Sequence, residues 1–227
     1  MRIFTVLLLL LLLLGCSQLK QAEDDNIWRI ASLEWPPYAG KDLPQQGHAI
    51  AALRRLLAQH DIALEVEFHQ WSYSQKLARS DDYIGYYPAW PEEVKDGFFA
   101  SLPIEWSLLG VVQFEENRRQ YSDLSELFAQ HRVGLVADYV YPEWVNKLAN
   151  DATLYARDEA HLARLLESKT IDAALTDPFV FSEYAKRLNL GKIYADILEE
   201  KPLVLAVSDT AKNRVKLKIL RQIEVQQ

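Results

Sequence analysis

The sequence of 227 residues has little cysteine and little histidine, and it lacks several motifs that usually accompany catalysis. Cys16 is its only cysteine, so no intramolecular disulfide can form. The five histidines show none of the HxH, HxxxH or HExxH spacings, so we expect no metal site and no other cofactor. A Gly-rich phosphate loop, a Gly-x-Ser-x-Gly turn and a Cys/His pair are also missing from the sequence.

The charge balance is acidic. There are 25 Lys and Arg against 32 Asp and Glu, which gives a net charge of -7 and an isoelectric point near 5.3. Such a chain, without a dense Lys/Arg cluster, repels phosphate backbones, so we expect no nucleic-acid partner. The 49% hydrophobic and 25% charged composition indicates a globular protein. Aromatic residues reach 11%, and several fall in loop-like stretches, which is a first indication of a ligand site.

The first residues have the pattern of an export signal. An unbroken leucine run, 7–14, belongs to an apolar stretch of about 12 residues, shorter than the roughly 20 that span a bilayer. The following Gly15-Cys16 completes a segment that resembles the bacterial lipobox, in which the cysteine is acylated. We therefore expect a lipoprotein signal peptide at 1–15, lipid attachment at Cys16 and a polar tether at 16–26. An ordinary cleavage site beside a lone cysteine is the alternative.

Strand and helix patterns alternate along the rest of the chain. Strands are predicted at 28–33, 62–68, 83–87, 133–136, 153–156, 171–175 and 202–207, with helical patterns between them. Such alternation implies parallel pairing and ligand sites at the carboxyl ends of strands. The apolar segment 104–114 and the region 193–208 can cross twice between two lobes. We predict an α/β protein with mixed sheets, lobe 1 at 27–108 and 203–227, and lobe 2 at 109–202.

Acidic and aromatic residues follow several of the predicted strands. The candidate ligand-binding residues are Glu34, Trp35, Tyr38, Trp71, Tyr87, Trp90, Asp138 and Asp177. Each has a plain structural alternative: the aromatic rings can pack in the core or on the double proline, and Asp177 can cap the helix that begins at Pro178. Acids beside aromatic faces favour a cationic or amine-bearing solute.

Several segments, taken in order, resemble one family. They are Glu34-Trp35-Pro36-Pro37-Tyr38, the helix after Gly47, Trp71, Phe99-Ala100-Ser101-Leu102-Pro103-Ile104, Val133-Gly134-Leu135-Val136 and Ile171-Asp172-Ala173-Ala174-Leu175-Thr176-Asp177. This order and spacing is similar to bacterial extracellular solute-binding proteins of family 3, which serve amino-acid transporters. The resemblance implies a two-lobed, venus-flytrap fold of the periplasmic-binding-protein type. It also implies that Asp177 receives a ligand's ammonium group and that the loop after the first strand lines the site.

The sequence departs from the family pattern in one stretch that matters for the ligand. Members that bind α-amino acids usually carry an arginine shortly before the Phe-x-Ser-x-Pro segment, where it clamps the ligand carboxylate. Here that stretch reads Trp90-Pro91-Glu92-Glu93-Val94-Lys95, without an arginine. The missing clamp argues against an ordinary amino-acid ligand, although a lysine or Arg79 could replace it.

The leading hypothesis is a non-catalytic, lipid-anchored protein that faces the periplasm or the cell surface. It would capture a small polar, amine-bearing and amino-acid-like solute and deliver it to an ABC permease, with the lipid anchor as its contact with the membrane. One alternative is an enzyme on the same scaffold, since cyclohexadienyl dehydratases resemble this fold and fold does not fix function. The other is an accessory lipoprotein that senses a solute and reports to a partner.

Overall fold

The computed structural model describes residues 26–225. The predicted signal peptide, Cys16 and all of the predicted tether except Asn26 lie outside the described residues. Within that range no helix has both the length and the apolar character needed to cross a membrane.

Nine strands and seven α-helices make up the described part of the chain. The strands are β1 (Ile27–Ser32), β2 (Ala63–Phe68), β3 (Gly85–Ala89), β4 (Phe98–Ala100), β5 (Glu105–Phe114), β6 (Val133–Val136), β7 (Leu154–Ala156), β8 (Ala173–Thr176) and β9 (Ile193–Ser208). The helices are α1 (His48–Ala58), α2 (Trp71–Leu77), α3 (Leu124–Gln130), α4 (Glu143–Leu148), α5 (Glu159–Glu167), α6 (Pro178–Arg187) and α7 (Ala211–Val225). All seven strands predicted from the sequence are present. Strand β4 is additional, and β5 coincides with the apolar segment 104–114 that was expected to cross between the lobes.

The strands form two groups that share a pair of long strands. The sheet order is β2-β1-β3-β9-β5-β8-β6-β7, and β4 also pairs with β9. In the first group β1 runs parallel to β2 and β3, and in the second β6 runs parallel to β7 and β8. The long strands β5 and β9 are antiparallel to each other and to their outer neighbours. This is the predicted mixed α/β, two-lobed architecture with two crossing connections.

Strand β9 is longer than the sequence predicted. The apolar pattern marked only 202–207, whereas β9 spans Ile193–Ser208. Its first half is only partly buried and pairs with β5, and its buried second half pairs with β3 and β4. Because the first half is polar and charged, it lacks the apolar run that identified the second half.

Three apolar clusters hold the molecule together. One contains residues only from the first strand group and its helices, among them Ala31, Tyr86 and Phe98. Another contains only residues from the second group, among them Phe114 and Phe181. The largest cluster includes residues from both groups. The two groups are therefore packed on each other as well as joined by β5 and β9.

Candidate functional site

The loop after β1 is folded into a tight turn that directs Tyr38 inward. Trp35 N donates to Ala39 O at 2.8 Å, and Ala39 N donates back to Trp35 O at 3.0 Å. Gly47 supports this turn from the other side. Its φ of 98° is favourable only for glycine, and the Cβ of any other residue at this position would lie 2.4 Å from Tyr38 O. Gly47 thus allows the start of α1 to approach this loop, where Ala49 N donates to Tyr38 O at 3.0 Å.

A buried hydrogen bond joins the two strand groups at Tyr38 and Asp177. The Tyr38 hydroxyl donates to Asp177 Oδ2 at 2.8 Å, and both side chains are almost fully buried. Leu108 N of β5 donates to the same oxygen at 2.8 Å. Asp177 Oδ1 accepts from Phe179 N and Val180 N at the start of α6. Asp177 is therefore the N-cap of α6, which confirms the structural alternative for this residue.

Burial and hydrogen bonding have opposite effects on the pKa of Asp177. Burial raises the pKa of this carboxyl, while the donors from Leu108, Val180 and Tyr38 lower it. Burial, and then the nearby Asp177 carboxylate, raises the pKa of the Tyr38 hydroxyl. Tyr38 therefore stays a protonated donor over the ordinary pH range.

Aromatic side chains extend the contact between the two strand groups beyond the Tyr38–Asp177 hydrogen bond. Trp35 stacks on Tyr38 with ring centroids 4.6 Å apart, and Trp90 meets Trp35 edge-on at 6.3 Å. Trp90 also lies edge-on to Tyr139 and Tyr141 of the second group, at 6.0 and 6.4 Å. Such edge-to-face pairs each add about 0.5 to 1.5 kcal/mol beyond the area that they bury. The aromatic cluster formed by these five residues thus bridges the lobes.

Behind the aromatic cluster lies a small cavity with an acid in its wall. Its volume is about 20 Å³, room for about one water molecule, and Trp35, Trp71, Trp90 and Glu93 are among its lining residues. Glu93 is 7% exposed, and it accepts hydrogen bonds from Trp71 Nε1 at 2.8 Å and from Trp90 N at 2.9 Å. Burial raises the pKa of Glu93 to about 7. A carboxyl group thus occupies the stretch in which an arginine would clamp a ligand carboxylate.

A larger groove opens beside this cavity, between the carboxyl ends of strands from both groups. Its volume is about 480 Å³, and it shares Trp71 and Tyr139 with the small cavity. The titratable residues in its wall are Glu34, His69, Asp138, Tyr139, Arg157, Asp158, Glu159 and Tyr184. Arg157 is the only Lys or Arg among them, and its Nε lies 3.1 Å from Asp158 Oδ2. The groove is therefore acidic and has the size of a small-molecule site.

Glu159 differs from the other acids of the groove because it is buried. It is the first residue of α5 and is 4% exposed. The Thr176 hydroxyl donates to Glu159 Oε1, and Oε2 is closed off from solvent. Burial raises the pKa of Glu159 to about 7, and the nearby Thr176 and Tyr139 hydroxyls reduce that rise.

The eight candidate residues fall into four places. Glu34, Trp71 and Asp138 line the groove, and both acids are exposed. Trp35 and Trp90 line the small cavity, with Trp71 between the two volumes. Tyr38 and Asp177 are bonded to each other away from both. Tyr87 is fully buried, and its hydroxyl has no hydrogen-bond partner. Their contact with a ligand stays a prediction.

The sequence reasoning did not select Glu93, Tyr139, Arg157 or Glu159. Tyr139 follows the candidate Asp138 directly, and Glu159 follows the predicted strand 153–156 by three residues, so position near a strand end was an available signal for both. Burial of the two glutamates was not visible in the sequence, because charged residues at helix starts are usually solvated. Across residues 26–225, no group of three or more His, Cys, Asp or Glu is placed to hold a metal ion.

Comparison with known proteins shows the fold of this chain but assigns it to no protein family. No protein-family model matches the chain, and no curated protein sequence matches it. Many solved structures match, at low sequence identity.

Three of these structures illustrate the range of related molecules. An ancestral arginine-binding protein bound to arginine has a TM-score of 0.69 at 18% identity, covering 88% of this chain and 92% of that one. A histidine kinase sensor domain with similarity to periplasmic binding proteins has a TM-score of 0.69 at 17% identity, covering 88% and 95%. An ancestral amino-acid-binding protein described as a precursor of cyclohexadienyl dehydratase has a TM-score of 0.69 at 16% identity, covering 92% of both chains. The chain thus shares the two-lobed fold of these proteins.

Proposed function

We propose that this chain is an exported, lipid-anchored solute-binding protein that holds a small amine-bearing solute between its lobes and passes it to an ABC permease. The observation that carries the proposal is the acidic groove, with walls from both strand groups and a single arginine that is itself paired. The lipid anchor at Cys16 and the tether rest on the sequence pattern alone. The permease is inferred from the family that the sequence resembles.

The charges around the groove support a cation over an anion. Glu34, Asp138, Asp158 and Glu159 line the groove, and the buried Glu93 lies behind Trp71. A ligand carboxylate near these groups would meet like charges in a partly desolvated site, which is unfavourable. A primary amine or guanidinium would gain from the same acids and from the face of Trp71. We therefore place amines ahead of α-amino acids among the candidate solutes.

The lobe arrangement supports capture by closure. Side chains from both strand groups line the groove, and β5 and β9 are the two strands that connect the groups. A ligand that contacts both lobes stabilises the closed arrangement only by its extra contacts there, which is the energetic basis of hinge closure. We propose the predicted boundaries, 27–108 with 203–227 and 109–202, as the two moving units.

Matched ligand pairs provide the test. Agmatine and L-arginine differ by one carboxylate, as do putrescine and L-ornithine, so a thermal-shift comparison isolates the effect of that group. At a hundred times Kd a ligand adds about 2.7 kcal/mol of stability, which corresponds to roughly 5 to 10 °C for a chain of this size. We expect the carboxylate-free member of a pair to give the larger shift and to change the tryptophan fluorescence.

Two double variants with equal charge change separate groove binding from general electrostatics. Glu34→Gln with Asp138→Asn removes two groove acids and should weaken amine binding. Glu143→Gln with Asp151→Asn removes two exposed acids outside the groove and should leave it unchanged. If none of the amines or amino acids stabilises the wild-type protein, the proposed function is wrong.

Sensing is a second candidate function, favoured by the likeness to a histidine kinase sensor domain. Both functions require solute binding, so they differ only in the partner that the closed form contacts. Cross-linking of the membrane-anchored protein in its host, with and without the bound amine, would separate a permease from a signalling protein. The likeness to a precursor of cyclohexadienyl dehydratase motivates one further check. Formation of phenylpyruvate from prephenate, or of phenylalanine from arogenate, would contradict a non-catalytic role.

A further inference from the structure

The small cavity between the lobes has aromatic walls and one acid. Trp35, Trp71, Trp90 and Glu93 line it from the first strand group, and Tyr139 lines it from the second. The remaining lining residues are two leucines and a proline, and none of the described residues in this wall is a lysine or an arginine. Aromatic faces around a carboxyl group are the chemistry that recognises a cation.

Glu93 keeps acceptor capacity for a ligand, whereas Asp177 does not. Each oxygen of Glu93 accepts one hydrogen bond, from Trp71 Nε1 at 2.8 Å and from Trp90 N at 2.9 Å. A carboxylate has about four acceptor positions, so about two remain on Glu93. Asp177 accepts two hydrogen bonds on each oxygen and lines neither the cavity nor the groove. Of these two buried acids, Glu93 is therefore the one that can accept from a cation.

The size of the cavity limits which cation it can hold. Its volume of about 20 Å³ leaves room for about one water molecule. A primary ammonium group is close to a water molecule in size and carries three N–H donors. Trimethylammonium and guanidinium groups are larger. The cavity shares Leu33, Trp71 and Tyr139 with the groove, so the two volumes adjoin and the chain of an amine can lie in the groove.

One buried cation lies beside this wall and is already paired. Lys201 Nζ lies 5.4 Å from the centroid of the Trp90 ring and contacts the carboxylates of Glu92 and Glu199. Because these two acids neutralise Lys201, it does not supply the countercharge for Glu93. A solute cation in the cavity would supply it through a charge-assisted hydrogen bond.

We propose that the small cavity is a subsite for a primary ammonium group, with Glu93 as its acceptor and the three indoles around it. This inference rests on the proposed function and specifies its ligand. The solute is a primary amine whose ammonium group enters the cavity and whose chain lies in the adjoining groove. Asp177 joins the lobes through Tyr38 and caps α6, and it does not contact the solute.

A matched pair of ligands tests the size limit on the wild-type protein. Putrescine and its bis-trimethylammonium analogue have the same chain and the same two positive charges, and they differ only in the size of their head groups. Titration calorimetry at pH 8 keeps Glu93 mostly ionised, because burial raises its pKa to about 7. We expect putrescine to bind at least tenfold more tightly. Equal affinity, or tighter binding of the quaternary analogue, overturns the subsite.

Glu93→Gln tests the acceptor. It keeps the size of the side chain but replaces one acceptor oxygen by an NH₂ donor. We expect it to weaken putrescine binding at least tenfold and to reduce the preference over the quaternary analogue to within twofold. A change that only loosened the wall would weaken both ligands alike and keep the preference. Glu167→Gln removes an exposed charge outside both volumes and should bind both ligands as the wild type does. Thermal unfolding establishes that each variant is folded.

The outcomes separate this inference from the proposed function. If the wild type binds putrescine and Glu93→Gln binds it within twofold, or keeps the wild-type preference, the subsite is overturned and the binding function stands. If neither putrescine nor the other amines bind the wild type, the subsite is overturned, and if amino acids fail as well, so is the function. If Glu93→Gln does not fold, the ligand pair on the wild type decides.

Discussion

Replacing Tyr38 by Phe removes the buried hydrogen bond between the two strand groups while keeping the ring that stacks on Trp35. The lost bond is the 2.8 Å contact from the hydroxyl to Asp177 Oδ2. Hydrogen bonds to charged groups contribute about 1.5 to 3 kcal/mol each. Asp177 keeps three backbone donors, so the carboxylate stays partly satisfied and we expect the lower part of that range, about 2 kcal/mol. The corresponding decrease in melting temperature is roughly 4 to 8 °C.

The effect of Tyr38→Phe should depend on pH in a defined direction. Burial already raises the pKa of Asp177 in the folded state, and the Tyr38 hydroxyl opposes that rise. Its removal raises this pKa further, so the folded protein loses more stability as pH rises through it. The free-energy difference between variant and wild type should therefore be larger at pH 7 than at acid pH.

Urea unfolding followed by tryptophan fluorescence measures this difference as a shift in midpoint at constant slope. Tyr155→Phe is the matched control, because Tyr155 is 56% exposed and the loss of its hydroxyl should change stability by less than about 0.5 kcal/mol. A loss below about 0.5 kcal/mol for Tyr38→Phe as well would refute the view that this bond helps to hold the lobes together.

Three further predictions concern other parts of the same region. The pKa of Glu93 is about 7 in the folded state against 4.5 in the unfolded state, so the wild type should lose stability as pH rises from 4.5 to 7. Glu93→Gln should lose less stability over this range, which urea titrations at pH 5 and 8 measure. Lys201 is 2% exposed and pairs with the partly exposed Glu92 and, at 3.5 Å, with Glu199. Glu92→Gln leaves the buried charge with only the more distant Glu199, so it should lower stability by up to about 3 kcal/mol and more than Lys201→Met does. Gly47→Ala should lower stability by at least about 2 kcal/mol through strain at positive φ. Gly191→Ala should be mild, because an added Cβ there would make only ordinary contacts, the nearest at 3.6 Å from Phe114; equal effects would contradict this reasoning.

The fold could be predicted from the sequence because its parts have strong local patterns. The alternation of short apolar strands with amphipathic helices such as α1 and α5 is visible in the sequence and implies a parallel arrangement within each group. The polar first half of β9 was not predicted, because its pairing with β5 rather than its own apolar pattern makes it a strand. Long-range pairing of this kind leaves no local signal.

The candidate site could be predicted only in part. Residue type and position at strand ends were sufficient to select Glu34, Trp71 and Asp138, which do line one groove. They were insufficient to distinguish Asp177, whose oxygens accept four hydrogen bonds within the protein away from the groove, from Glu159, which belongs to the groove wall. That difference depends on which backbone N–H groups approach each carboxylate, and these come from distant elements such as β5.

The position of β9 has a consequence for biosynthesis. The inner edge of β3 is covered by residues 204–207, more than a hundred positions later in the chain. Until these late residues are in place β3 presents an open edge, which invites aberrant pairing. A nascent chain stalled or truncated before residue 200 would leave its amino-terminal half permanently unfinished, and we expect such fragments to be aggregation-prone or rapidly degraded.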